Sequence, residues 1–124
     1  MPTIRVLIAD DHRLFAEALE AILAGEPDIE VVGRARNGEE AVAQSLALEP
    51  DVILMDIAMP VVDGVEATRR ILELQRGACV LMLTGSNSRT DVARAREAGA
   101  AAYVTKDRIA AQLIEAIREL APEA

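Results

Sequence analysis

The chain has 124 residues, 52% of them apolar, with 13 basic against 21 acidic side chains and a formal net charge of −8. That length suits one domain with a two-sided core and leaves no room for a second. The acidic balance excludes a surface that grips a nucleic-acid backbone, and no apolar run approaches the roughly 20 residues that span a bilayer. Cys79 is the only cysteine, so no internal disulfide forms and a reducing cytoplasm is the expected home. Arg5, Asp10 and Asp11 interrupt any signal-like apolar segment at the start.

In chain order, Ile4 to Ala9 reads as a strand, followed at once by Asp10 and Asp11. The next segment keeps a helical period in two adjacent rows, Leu14, Ala18, Ile22 and Phe15, Leu19, Leu23, until Gly25 and Pro27 stop it. Ile29 to Gly33 alternates by halves, the pattern of an edge strand. Asn37 with Glu40 marks a helix start, and Ala41, Val42, Ser45, Leu46 and Leu48 continue that helix to Pro50.

Val52 to Met55 is an unbroken apolar run that delivers Asp56 at its carboxyl end, and Pro60 and Gly64 then turn the chain. Asp63 with Glu66 repeats the capping pattern before a helix carrying Val65, Thr68, Ile71 and Leu72. Cys79 to Leu83 reads as a fourth strand with a buried thiol at its start, closing on Thr84, Gly85 and Ser86. The fourth helix, about Asp91 to Ala98, has little besides Val92 and alanines to bury and ends at Gly99. Ala101 to Val104 is a fifth strand leading to Thr105 and Lys106. Asp107 then caps a last helix with Ile109, Leu113, Ala116, Ile117 and Leu120 inward and Ile114 exposed.

Five apolar strands alternating with five helices define an α/β domain with a parallel sheet and right-handed crossovers. It occupies residues 1–121, with 122–124 as a tail or the start of a linker. In such a sheet all carboxyl ends share one edge, so Asp10, Asp11, Asp56, Thr84 and Lys106 converge there. Converging carboxylates repel unless a cation joins them, and Mg²⁺ suits a few carboxylates plus a phosphate. His12, the only histidine, has no second nitrogen or sulfur ligand beside it and reads as a partly exposed helix-start residue. An aspartate whose charge is offset can accept a phosphoryl group, with Lys106 on the phosphate and the Thr84 hydroxyl donating to it.

Asp10-Asp11, Asp56, Thr84 and Lys106, with Met59-Pro60 and Gly64 after the central acid and Tyr103 three before the lysine, resemble the receiver domain of two-component response regulators. Val32 to Ala41 and the Asp10-Asp11-His12 opening are most similar to the LuxR/NarL-type subfamily, whose receivers precede a helix-turn-helix domain. The resemblance implies a flavodoxin-like (βα)5 doubly wound sheet of order 2-1-3-4-5, an architecture for which a chemotaxis receiver is a standing example. It also implies Asp56 as phosphoacceptor, Mg²⁺ on Asp10, Asp11, Asp56 and the Ala58 carbonyl, and Thr84 with Tyr103 as the switch. A sensor histidine kinase would supply the phosphoryl group. The surface of the fourth helix, fifth strand and fifth helix would respond, with homodimerisation as one outcome and transcription controlled through a following domain; the alternative is a stand-alone receiver acting through protein-protein contacts. Gly85 and Arg13 depart from the family's usual alanine and proline. Ala58 and Ser86, at the positions that tune phosphoryl lifetime, imply a long-lived phosphoaspartate.

Other readings make different demands. A Mg²⁺-dependent phosphohydrolase on Asp56 generally needs an acid two residues on, where Ala58 stands, and a nucleotide or flavin binder would need a G-x-G-x-x-G or a Walker lysine, whereas Gly33 to Gly38 has the glycine spacing without the following Lys-Ser/Thr. A structural pairing module would have no use for the acid, hydroxyl and lysine set. Singly, the acid pair reads as a helix cap, Lys106 as a surface lysine, Tyr103 as edge packing and the arginine pairs 34/36 and 94/96 as solvated faces.

Overall fold

The structure, a computed structural model, describes residues 3–85 and 89–121. Ser86 and the 122–124 tail therefore lie outside the described residues. Strands β1 (Ile4–Ala9), β2 (Ile29–Ala35), β3 (Val52–Asp56), β4 (Val80–Thr84) and β5 (Ala102–Thr105) alternate with helices α1 (Arg13–Ala24), α2 (Gly38–Leu48), α3 (Gly64–Leu74), α4 (Arg89–Ala98) and α5 (Ile109–Leu120). The strands are all parallel, in the order β2-β1-β3-β4-β5.

Every residue of β3 and β4 is buried, as continuous apolar runs covered on both faces must be. Alternate side chains feed two cores. Leu7, Ile53, Met55 and Met82 meet α2, α3 and α4 through Ala41, Ile71 and Ala95. Val6, Ile8, Leu54 and Leu83 meet α1 and α5 through Leu19, Leu23, Leu113 and Ile117. The edge position foreseen for β2 is the observed one. The strand runs two residues further, to Ala35, because a register shift opposite Val6/Leu7 lets it keep pairing past Gly33.

Two of the three caps marked in the sequence form: Asn37 Oδ1 accepts the Glu40 amide at 2.8 Å and Asp63 Oδ1 accepts the Glu66 amide at 2.8 Å. Arg5 adds an unforeseen device, donating to the carbonyls of Leu48 at 2.7 Å and Glu49 at 3.1 Å at the carboxyl end of α2. Arg118 of α5 clamps Glu26 and Asp28 of the α1–β2 loop at 2.7 and 2.8 Å, which holds the Asp28 carboxyl below its ordinary range.

Five expectations need correction. Leu14 is 81% exposed, because Ala16, Leu19 and Leu23 carry the inward face of α1. Successive residues lie about 100° apart round a helix, so only one of the two candidate rows can meet the sheet squarely. Asp107 does not cap α5. Lys106–Arg108 form a 3-10 turn, the helix starts at Ile109, and Asp107 sits inside that turn rather than in the extended conformation a cap requires. Ile114 is half-buried against the α1/α5 core and offers no bare patch. Cys79 precedes β4, half-buried, with its thiol directed at the Leu120 carbonyl at 3.7 Å and its pKa pushed up by burial. β5 lies one residue later than its sequence-based bounds, at Ala102–Thr105, and α4 starts two residues earlier, at Arg89, while ending at Ala98 as expected.

Candidate functional site

Pairing of β1 with β3 sets Ala9 beside Met55, so the next residue on each chain, Asp10 and Asp56, arrives at the same edge. The Asp10 amide donates to the Ala35 carbonyl at 3.0 Å and fixes the end of β1 between its two neighbours. Both carboxylates are buried, with side chains 0% and 4% exposed. Lys106 follows β5 and places its ammonium 3.3 Å from Asp10 Oδ2 and 3.3 Å from Asp56 Oδ2. Thr84, fully buried at the end of β4 and in register with Thr105, occupies the intervening strand end.

Burial is the main force raising the Asp56 pKa above the ordinary carboxylate value, and the charge of Asp10 adds to it. Lys106 and the Ala58 amide, which donates to Asp56 Oδ1 at 3.3 Å, oppose the rise. Asp56 Oδ2 has an ion-pair neighbour in Lys106 yet no aligned hydrogen-bond donor among the described residues. A buried carboxylate oxygen without a donor is costly and signals a site shaped for something else. The carboxylates of Asp10, Asp11 and Asp56, whose ligand atoms cluster with one from His12 within 4.8 Å of one another, are an oxygen set that fits a hard divalent cation.

Two glycines let the β3–α3 loop close over this edge. A methyl group on Gly64 would meet the Asp56 carbonyl oxygen at 2.0 Å, and one on Gly38 would meet the Val62 carbonyl oxygen at 2.1 Å. The Gly38 amide donates to that same Val62 carbonyl at 2.9 Å, tying α2 to the loop. Between them Val61 takes φ 69°, with the Val62 amide turned back on the Pro60 carbonyl at 2.8 Å. For a β-branched residue that is a strained turn, and it is 75% exposed beside the site.

The structure thus brings Asp10, Asp56 and Lys106 into contact, with Asp11 at the rim. Tyr103 stands elsewhere, 40% exposed on β5 in a shallow groove with Arg89, Val92 and Arg96 of α4. Arg94, taken from sequence as a solvated residue, pairs with Asp63 at 3.4 Å and so ties α4 to the cap of α3.

Two participants escaped the sequence reading. The Phe15 ring lies 4.4 Å from the Lys106 ammonium, a cation–π contact within reach of both buried acids. His12 turns its Nδ1 inward, 3.3 Å from Asp10 Oδ1, 3.5 Å from Asp11 Oδ1 and 3.8 Å from Asp56 Oδ2. Its place directly after an acid pair at a helix start was the available signal.

The profile of the family described as response regulator receiver domain matches residues 6–118. This chain belongs to the response regulator receiver family. The receiver is 43% identical over 118 residues to the transcriptional regulatory protein DegU of Brevibacillus brevis, a match covering 95% of this chain and 50% of that protein. It is likewise 43% identical over 115 residues to LiaR of Bacillus subtilis, covering 93% of this chain and 54% of that one. Among solved structures, a LuxR-family response regulator from Aurantimonas sp. superposes with a TM-score of 0.90 at 33% identity, covering 95% of this receiver and 84% of that chain. The receiver spans about half the length of the curated relatives it matches.

Proposed function

We propose that this receiver accepts a phosphoryl group on Asp56 from a sensor histidine kinase and relays that event through its α4, β5 and α5 surface. The supporting observation is the buried Asp56 carboxylate, held between Asp10 and Lys106 with Oδ2 lacking a hydrogen-bond donor among the described residues. Asp56 attacks phosphorus, an O–P bond forms, and the N–P bond to the donor imidazole breaks with the electron pair leaving on nitrogen. Lys106 follows the charge onto the phosphoryl oxygens, and Thr84 donates its hydroxyl to one of them. Asp10, Asp11, Asp56 and the Ala58 carbonyl would hold Mg²⁺, which when bound neutralises the developing oxygen charge.

Tyr103, exposed against α4, and Thr84 form the switch in this reading, and α4 suits repacking because only Ala95 and Ala98 of it are buried. Ala58 offers no side chain to orient water, so the phosphoaspartate persists and the domain signals rather than turns over substrate. The output we infer is transcriptional, through a helix-turn-helix domain following residue 121, with homodimerisation on activation and no nucleic-acid contact by the receiver. We assign the receiver a cytoplasmic setting from the lone cysteine, Cys79, and from the family resemblance; among the described residues no helix is long and apolar enough to cross a membrane.

Incubation with acetyl phosphate and Mg²⁺ tests this reading by intact mass. One phosphoryl group should add to the wild type and none to Asp56→Asn. Equal labelling of both proteins refutes it.

A further inference from the structure

His12 changes the chemistry of the pocket. Its imidazole is 65% exposed, yet Nδ1 points inward at three carboxylates, at 3.3, 3.5 and 3.8 Å. The His12 amide donates to Asp10 Oδ1 at 2.8 Å, which anchors the backbone that carries the ring beside the strand ends. One potential ligand atom from each of Asp10, Asp11, His12 and Asp56 falls within a 4.8 Å cluster. Donors bound tetrahedrally at about 2.0–2.1 Å stand roughly 3.3–3.4 Å apart. His12 lies near that spacing from Asp10 and Asp11, and slightly beyond it from Asp56.

The acids alone do not make this site. Asp56 Oδ2, on a side chain 4% exposed, faces the cluster without a hydrogen-bond donor among the described residues, and an imidazole nitrogen supplies a softer ligand beside it. An all-oxygen set favours Mg²⁺. One imidazole among the carboxylates moves the preference towards Co²⁺ and Zn²⁺ along the first-row affinity order.

We propose that His12 Nδ1 joins Asp10, Asp11 and Asp56 in binding a first-row transition-metal dication of the Zn²⁺ or Co²⁺ type, giving the pocket a second class of ion besides Mg²⁺. This rests on the reading of the pocket as a cation site. A tetrahedral ion with four protein donors has no open position for a phosphoryl oxygen, so its occupancy opposes loading of Asp56. The exposed outer face of the imidazole leaves the ion a path to exchange.

Calorimetric titration of the wild type and His12→Phe with Zn²⁺ and, separately, Mg²⁺ tests the assignment, with the Co²⁺ visible spectrum of each protein as a direct view of the ligand set. The His12 side chain makes no cap hydrogen bond to α1, so the replacement removes a ligand without removing a helix cap. Zn²⁺ affinity should fall about tenfold or more in His12→Phe, the scale expected when a metal site loses an interacting group, while Mg²⁺ affinity changes far less. The intense tetrahedral Co²⁺ bands of the wild type should vanish in the variant. Zn²⁺ affinity within about twofold of wild type would overturn the assignment while leaving the Mg²⁺ pocket intact. Failure of the wild type to bind either ion would overturn both.

Discussion

Asp56 is held at a cost to the fold. Its pKa is raised, chiefly by burial and next by Asp10, so the folded state retains that proton more tightly than the unfolded chain. The associated stability is present below the unfolded carboxyl value, about 3.9, and is lost as pH rises through the higher folded value. Asp56→Asn should therefore melt several degrees higher than wild type near neutral pH, and the gap should close below about pH 4, where both carry a neutral side chain. Thermal melts across pH decide it, and a variant less stable than wild type at neutral pH contradicts the electrostatic account. Phe15 is open to a similar test. Its ring faces the Lys106 ammonium at 4.4 Å, a contact worth roughly 0.5–2 kcal/mol depending on desolvation. Phe15→Leu keeps an apolar side chain and should slow acetyl-phosphate labelling by about twofold to tenfold, the rate equivalent of about 0.5–1.4 kcal/mol. In a Lys106→Ala background the same change should cost little, since the partner is gone. Equal slowing in both backgrounds would assign Phe15 a packing role only.

At the scale of elements, the β3–α3 loop positions the site through close backbone approach. Gly64 packs on the Asp56 carbonyl so tightly that any Cβ collides with main-chain atoms, which cannot rotate away as a side chain would. Gly64→Ala should lower stability by about 2 kcal/mol or more, displace the end of β3 and abolish labelling. Gly85, where the family usually carries alanine, has nothing within 4 Å of the place a methyl group would occupy and no left-handed φ. Gly85→Ala should accordingly be neutral or stabilising by about 0.4–1 kcal/mol through a less flexible unfolded chain. Denaturant unfolding of the pair measures both, and similar losses in the two variants would show that the loop contact is not what distinguishes them.

Taken as a whole molecule, the domain was legible where pattern and topology act together. Val52 to Met55 and Val80 to Leu83 announce covered strands by being apolar throughout, and a parallel sheet then dictates that Asp10, Asp56, Thr84 and Lys106 end on one edge. What stayed hidden depends on rotation and side-chain direction rather than on pattern. Leu14 and Leu19 belong to adjacent helical rows that are both apolar, and packing decides that Leu14 faces solvent. Asp107 has the composition of a cap but lies in a 3-10 turn. The direction of His12 Nδ1 towards the acids is a matter of side-chain torsion on a backbone anchored by Asp10, and the Phe15 contact spans most of the domain in sequence.

The central claim is that the acids and Lys106 form one cation-dependent phosphoryl pocket, and beryllofluoride, a phosphoryl mimic, probes it most directly. Its affinity for the wild type, Asp10→Asn and Lys106→Ala, with and without Mg²⁺, can be read by amide chemical shifts around Asp56 and Thr84. The account predicts saturable binding to the wild type only when Mg²⁺ is present, weakened at least tenfold in either variant, as loss of a charged contact of about 1.4 kcal/mol or more requires. Binding of equal strength without Mg²⁺, or unaffected by losing Asp10 and Lys106, would contradict it.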